Sequence, residues 1–246
     1  MTESNVRTCG EWTLQANGFC ASNGLYMLFW MFLLGSIAGF FIEGLWSAVR
    51  WGKWAHHAGV VWGPLCTIYG LGAVAMYLAA CLLPEQPLPR PQTVLAQFLV
   101  CAVAGTVVEY LVSLVQEHCF GSVSWDYSHH AFNIGGRVSL QMSFVWGAVG
   151  VVFLQLVFPW LHRLIAKVQG QSGLLVTWAL IVFLCVDLAV SAAAVTRWRE
   201  RGKGLAPQSS FGAAIDRHFD DERMETLFPN MQFTTTGSYS YESHAA

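Results

Sequence analysis

The chain has 246 residues, of which 54% are hydrophobic and 11% charged, with eleven tryptophans and a formal net charge of −2. A soluble domain carries roughly 25% charged residues, so a soluble fold is excluded, and without a basic stripe to neutralise phosphates a nucleic-acid partner is excluded too. The mean hydropathy of +0.45 points to a membrane protein, in contact with the lipid bilayer and with indole rings near the headgroups.

Residues 1–24 read as a polar N-terminal tail rather than a cleaved signal, because they lack a basic then apolar pattern. Cys9 and Cys20 in this tail are either free thiols or, in an oxidising compartment, a bridge. Five apolar segments follow, at about 25–48, 60–83, 94–115, 138–161 and 174–195. Each approaches the roughly 20 residues needed to cross about 30 Å of hydrocarbon as a helix. An all-α polytopic protein with a transmembrane domain over 25–196 is the expected fold class, since open strands would leave backbone groups unpaired in lipid. The prolines of 84–91 separate the second and third segments. The fifth carries a single acid, Asp187.

Five spans place the termini on opposite sides. Arg50, Lys53, Arg137, Arg197, Arg199, Arg201 and Lys203 share one side, against Arg7, Arg90, Arg163 and Lys167 on the other. The positive-inside rule then predicts a multi-pass plasma-membrane protein with its C-terminus cytoplasmic and its N-terminus outside. Residues 197–246 form a soluble tail. Phe211, Ile215 and Phe219 recur every four residues above an acidic face, which predicts a short amphipathic helix. Acidic faces do not suit anionic lipid, so this helix either folds back on the protein's own loops or docks a cytoplasmic protein. Beyond Phe233 the Thr/Ser/Tyr-rich end reads as disordered.

The chain also resembles itself. Ala38-Gly-Phe-Phe-Ile-Glu43-Gly-Leu-Trp-Ser-Ala-Val49 matches Ala104-Gly-Thr-Val-Val-Glu109-Tyr-Leu-Val-Ser-Leu-Val115 at Ala, Gly, Glu, Leu, Ser and Val. Each copy precedes a histidine pair, His56-His57 or His129-His130, and then Val61-Trp62-Gly63 or Val145-Trp146-Gly147, read here as helical. Spans one-two and three-four thus read as a parallel repeat of helical hairpins, related by an axis along the membrane normal. That axis would bring Glu43 and Glu109 to equivalent, facing positions.

Both glutamates lie inside spans near helix C-termini, where burial and the helix dipole oppose negative charge. Each therefore needs a partner or a proton, unless its carboxylate reaches water. The third loop, Gly121 to Arg137, contains Trp125, Asp126, Tyr127, Ser128, Asn133 and Arg137 and is too aromatic for a plain linker, so it is expected to be re-entrant or cavity-lining. Arg137 is either the cation for Asp126 or Glu109, in one cluster beneath this loop, or a positive-inside anchor. His56, His57, His129 and His130 are weak metal candidates, since adjacent histidines diverge and no H-x-x-x-H or C-x-x-C spacing supports them. No metal or other cofactor is expected. Neither a P-loop nor a G-x-S-x-G elbow occurs, so no ATPase or hydrolase chemistry of those kinds is predicted.

Trp125-Asp126-Tyr127-Ser128 with Phe132-Asn133 and Gly136-Arg137, together with Gly63-Pro64, Ile68-Tyr69-Gly70 and Glu109, resembles the membrane family called putative ABC-transporter type IV, or CmpB. The resemblance covers about residues 30–160. It implies a transport role without naming a substrate; the residues themselves place the candidate substrate or ion site near Glu43, Glu109 and the third loop. One departure is His57-Ala58-Gly59, where the family pattern has Asn-Arg-Gly, so any role of that arginine is absent or moved. Three functions are open at this point: a permease-like subunit, a membrane enzyme acting on a lipid headgroup through Asp126, His129 or His130, and a scaffold or sensor without turnover. A homo-oligomer is compatible with each.

Overall fold

A computed structural model describes residues 24–83, 89–167 and 170–234. The N-terminal tail with Arg7, Cys9 and Cys20, most of the proline-rich break, and the end from residue 235 lie outside the described residues. The protein is mostly helical. Helix α1 is Gly24–Trp51, α2 Thr67–Ala80, α3 Arg90–Phe120, α4 Leu140–Val152, α5 Phe158–Lys167, α6 Gln171–Gly202, α7 Ser210–His218 and α8 Asp221–Leu227. Among the described residues, four stretches are long and apolar enough to cross a membrane: α1, α3, α6 and the continuous rod Leu140–Ile165. This is a multi-pass membrane protein. A single π-helical turn, Phe153–Val157, joins α4 to α5. Pro159 explains it, because a proline removes one N–H and its ring crowds the carbonyl four residues back.

The second apolar segment departs from expectation. Helix begins at Thr67 rather than near Val60, and its 14 residues rise only about 21 Å. The cause is local. Gly63 sits at φ +83°, and Pro64 disfavours helical backbone in the residue before it. The Gly59 N–H instead closes on the Leu65 carbonyl at 2.7 Å. Val61-Trp62-Gly63 is therefore not part of a helix, contrary to the reading that paired it with helical Val145-Trp146-Gly147.

The irregular segment 52–66 runs back alongside the helices. The Cys66 N–H reaches the Ser36 carbonyl at 2.9 Å, about 22 Å along α1 from Trp51 at 1.5 Å per residue. Its apolar residues Val60 and Leu65 pack with Leu33 of α1 and Leu184 of α6. The Val61 N–H donates to Ser191 Oγ at 2.8 Å and the Trp62 N–H to Asp187 Oδ1 at 3.1 Å. An inward-running loop, expected of residues 121–137, is seen in segment 52–66.

The tail folds back on the helix ends. Ile215, Phe219, Met224 and Phe228 form a core with Val61, Ala194 and Val195. Residues 232–233 (β4) pair antiparallel with 122–123 (β1), matching Ser122 with Phe233. A second ribbon, β2 (133–134) with β3 (138–139), turns the third loop into α4. Asp216 receives both Arg197 (2.6 and 3.1 Å) and Arg201 (2.5 Å), and Arg201 also reaches Asp221. One expected amphipathic helix is thus two short ones; Ile215 and Met224 pack on this protein's own helices, and Phe211 stays exposed.

Candidate functional site

Glu43 and Glu109 lie about 12 and 16 Å inside the C-terminal ends of α1 and α3. On α3 the exposed side chains Leu95, Leu99, Val103, Val107, Leu111 and Val115 make a stripe about 30 Å long, the depth of a bilayer core. Glu109 falls within that length but on the opposite face, only 3% exposed. It is a buried acid within an apolar helix long enough to cross a membrane.

Each acid is held by aromatic donors. Trp146 Nε1–H donates to Glu109 Oε2 and the Tyr127 hydroxyl to Oε1, both at 3.0 Å. The Tyr69 hydroxyl donates to Glu43 Oε1 at 2.5 Å. The Tyr69 and Trp146 rings lie 5.9 Å apart, so the two acid sites adjoin through their donors. A glycine one turn before each acid admits the ring. A Cβ on Gly39 would stand 2.4 Å from Tyr69 Cγ, and one on Gly105 would stand 2.5 Å from Trp146 Cγ. Burial pushes the Tyr127 phenol well above its usual range, and the Glu109 and then Glu43 carboxylates push it further, so it remains a neutral donor.

Arg137 does not reach this centre. It forms an ion pair with Glu117 and donates to Ser113 Oγ at 3.1 Å, one and two turns beyond Glu109 on α3. The expected cluster of Glu109, Asp126 and Arg137 is therefore not formed. Asp126 accepts from the Ser128 N–H and hydroxyl at 2.8 and 3.0 Å, a local turn. Trp125 Nε1–H donates to the Arg137 carbonyl, and Asn133 bridges the Ser128 and His130 carbonyls and the Gly136 N–H. Trp125, Asp126, Ser128 and Asn133 thus shape the loop, and Tyr127 is the candidate there that bonds to Glu109. Among the described residues, neither Glu43 nor Glu109 has an ion-pair partner.

The histidines go elsewhere. His130 Nδ1 is 3.3 Å from Ser139 Oγ, the His129 ring stands edge-on to His130, His57 faces Asn230, and His56 lies against Phe40. Among the described residues, no three His, Cys, Asp or Glu side chains gather as metal ligands. Tyr69 and Trp146 were missed as site residues from sequence. Tyr69 lay within the quoted Ile68-Tyr69-Gly70, but nothing in its spacing marks it as a partner of Glu43. The centre joins two carboxyls to three aromatic donors with no cation, which suits a positively charged or hydrogen-donating guest.

The family model described as "Putative ABC-transporter type IV" (CmpB) matches residues 30–192. The chain belongs to this family. No curated protein and no solved structure matches it.

Proposed function

We propose that this CmpB-family protein is a permease-like membrane subunit whose solute or ion path passes the Glu43–Glu109 centre. The observation that carries the reading is a pair of inward-facing acids at membrane depth, held by Tyr69, Tyr127 and Trp146 without a cation. Ionisable groups at such depth are costly and mark pathways for ions or substrates. Their acceptor character favours a cationic or hydroxyl-rich guest.

The architecture is read as five spans, with segment 60–66 completing the crossing begun by α2, and as a parallel duplication of α1–α2 and α3–α4. Equivalent contacts support the duplication. Gly39 meets Tyr69 as Gly105 meets Trp146, Gly35 meets Ala73 as Cys101 meets Gly150, and Phe32 meets Gly70 as Phe98 meets Gly147. The loops 52–66 and 121–137 and the tail share the end richer in Arg and Lys, so that end is assigned to the cytoplasm. The exposed acids Asp221, Glu222 and Glu225 on α8 are the surface left for a cytoplasmic partner.

The test is mass-spectrometric uptake profiling of a panel of inorganic cations, amines and polyols. It uses cells expressing the wild type, Glu43→Gln or Glu109→Gln at matched membrane levels. Accumulation or depletion of one solute by the wild type, lost in both variants, is expected. Variants that move that solute at the wild-type rate would overturn the assignment of the path.

A further inference from the structure

A third acid in the apolar helices lies apart from that centre. Asp187 sits near the middle of α6, about 24 Å from Gln171 and about 22 Å from Gly202, and is fully buried at 0% exposure. Its two oxygens are served unequally. Oδ1 accepts the Trp62 N–H at 3.1 Å and lies 3.3 Å from Ser191 Oγ, which itself accepts the Val61 N–H. Oδ2 is buried without a hydrogen-bond partner, the lone such side-chain atom among the described residues.

No ion pair to Asp187 is present among the described residues. On α6 the nearest charged side chain is Arg197, about 15 Å further along and committed to Asp216 and Glu200. In the loop before α2, Lys53 lies beside Ser47, His56 against Phe40 and His57 against Asn230, while the Cys66 thiol lies in the field of Glu43. On α1, Leu33 packs with this segment and Glu43 is bonded to Tyr69. From the tail, Arg223 stands over the Phe219 ring, which itself meets Trp62.

A buried carboxylate without a counter-charge, and with one oxygen unserved, gives up its charge. The groups that segment 59–66 turns toward it are N–H donors, which suit no metal cation. A proton needs one free oxygen and no shell of ligands. Placed on Oδ2, it removes the charge and leaves Oδ1 a carbonyl that still accepts from Trp62 and Ser191. An unshared neutral hydroxyl costs far less than an unshared carboxylate oxygen.

We propose that Asp187 is a proton-binding site, which carries its proton on Oδ2 while segment 59–66 is docked on α6 and releases it when the segment undocks. Release breaks the Oδ2–H bond, passes the proton to entering water and leaves a hydrated carboxylate. Docking and proton binding therefore favour each other reciprocally. The site is independent of the Glu43–Glu109 path.

Two measurements on the detergent-purified full chain test it. The first is infrared spectroscopy at neutral pH with isotope-labelled aspartate carboxyls. Of the five aspartates in the chain, Asp126, Asp216, Asp220 and Asp221 all accept from N–H or guanidinium donors in polar surroundings. A label-sensitive C=O stretch of one protonated aspartic acid is expected in the wild type and is expected to vanish in Asp187→Asn. Its absence from the wild type, or its survival in the variant, overturns the proposal, and the wild-type spectrum decides alone if the variant fails to fold. The second is hydrogen exchange of segment 59–66, corrected for the intrinsic effect of pH on exchange. Because undocking releases one proton, protection in the wild type should fall about tenfold per pH unit between about pH 6 and 8. In Asp187→Asn, a neutral mimic, protection should not depend on pH. Protection that stays flat in the wild type overturns the linkage. A fall that persists in the variant belongs to His56 or His57 and overturns it too.

Discussion

Gly105→Ala is the most direct perturbation of the polar centre, because it alters packing without touching any charge. The added methyl would lie 2.5 Å from Trp146 Cγ and 2.7 Å from its Cβ, inside any tolerable contact. The clash is with the root of the side chain, so a rotamer change cannot relieve it. α3 and α4 must therefore separate, which draws the indole away from Glu109. Overpacking costs about 1–3 kcal/mol, against which alanine in a helix regains about 0.5–1 kcal/mol over glycine. A net loss of about 1–2 kcal/mol should lower Tm in detergent by about 2–8 °C. Gly39→Ala should behave alike, since its methyl would stand 2.4 Å from Tyr69. Gly72→Ala is the control, also helical and buried, but its methyl would meet Trp146 at 3.5 Å, an ordinary contact. It should leave Tm unchanged or raise it. If Gly105→Ala is as stable as Gly72→Ala, the close approach of Trp146 to α3 is wrong, and with it the grip on Glu109.

Arg137→Ala should cost about 1 kcal/mol, because its pair with Glu117 is partly exposed. A double-mutant cycle on Tm should couple Arg137 to Glu117 and not to Glu109, and coupling to Glu109 instead would restore the cluster expected from sequence. Gly63→Ala should lose about 1–2 kcal/mol through backbone strain, since φ is +83° and the added methyl would make only an ordinary contact with Leu65 at 3.9 Å; an unchanged Tm would refute the turn. The Asp216 carboxyl is held below its ordinary value of 3.8 chiefly by Arg197, then by Arg201. A depressed folded-state value means its contribution is complete above the unfolded value and is lost as pH falls through the folded one. Hydrogen exchange over 210–228 should therefore quicken below about pH 4, and in Asp216→Asn should be quick at neutral pH. Slow exchange in that variant would show that the apolar contacts alone hold the tail.

Much of the helical architecture is written in single-residue terms. The apolar runs of α1, α3 and α6 exceed what any soluble helix needs, and the spacing of Phe211, Ile215 and Phe219 announces an apolar face, of which Ile215 and Phe219 are buried and Phe211 is exposed. The start of α2 was legible in principle, because Gly63-Pro64 breaks a helix whatever surrounds it. Apolar content outweighed that signal, since Val60, Val61 and Leu65 are buried although not helical. The partner of Arg137 was not legible. Whether its guanidinium meets Glu109 or Glu117 depends on how far α3 extends past the start of α4, a length fixed by packing in space. Tyr69 and Trp146 hide for a chemical reason. A phenol and an indole both end in a donor about one ring from the backbone, so the two hairpins place a hydrogen bond alike with residues that look unrelated in sequence.

The tail connects these parts mechanically. Through β1, residues 232–233 hold the start of the loop that delivers Tyr127 to Glu109. Through Phe219 and Phe228, the same segment packs on Val61, whose neighbour Trp62 bonds to Asp187. Both inward-reaching loops therefore rest on one clasp of short helices, anchored to the end of α6 by Arg197 and Arg201. The buried side chains of residues 203–234 pack on one another, on Ala194 and Val195 of α6 and on Val61 of the first loop. If either loop moves during a transport cycle, the contacts at Val61 or at Ser122 must be remade.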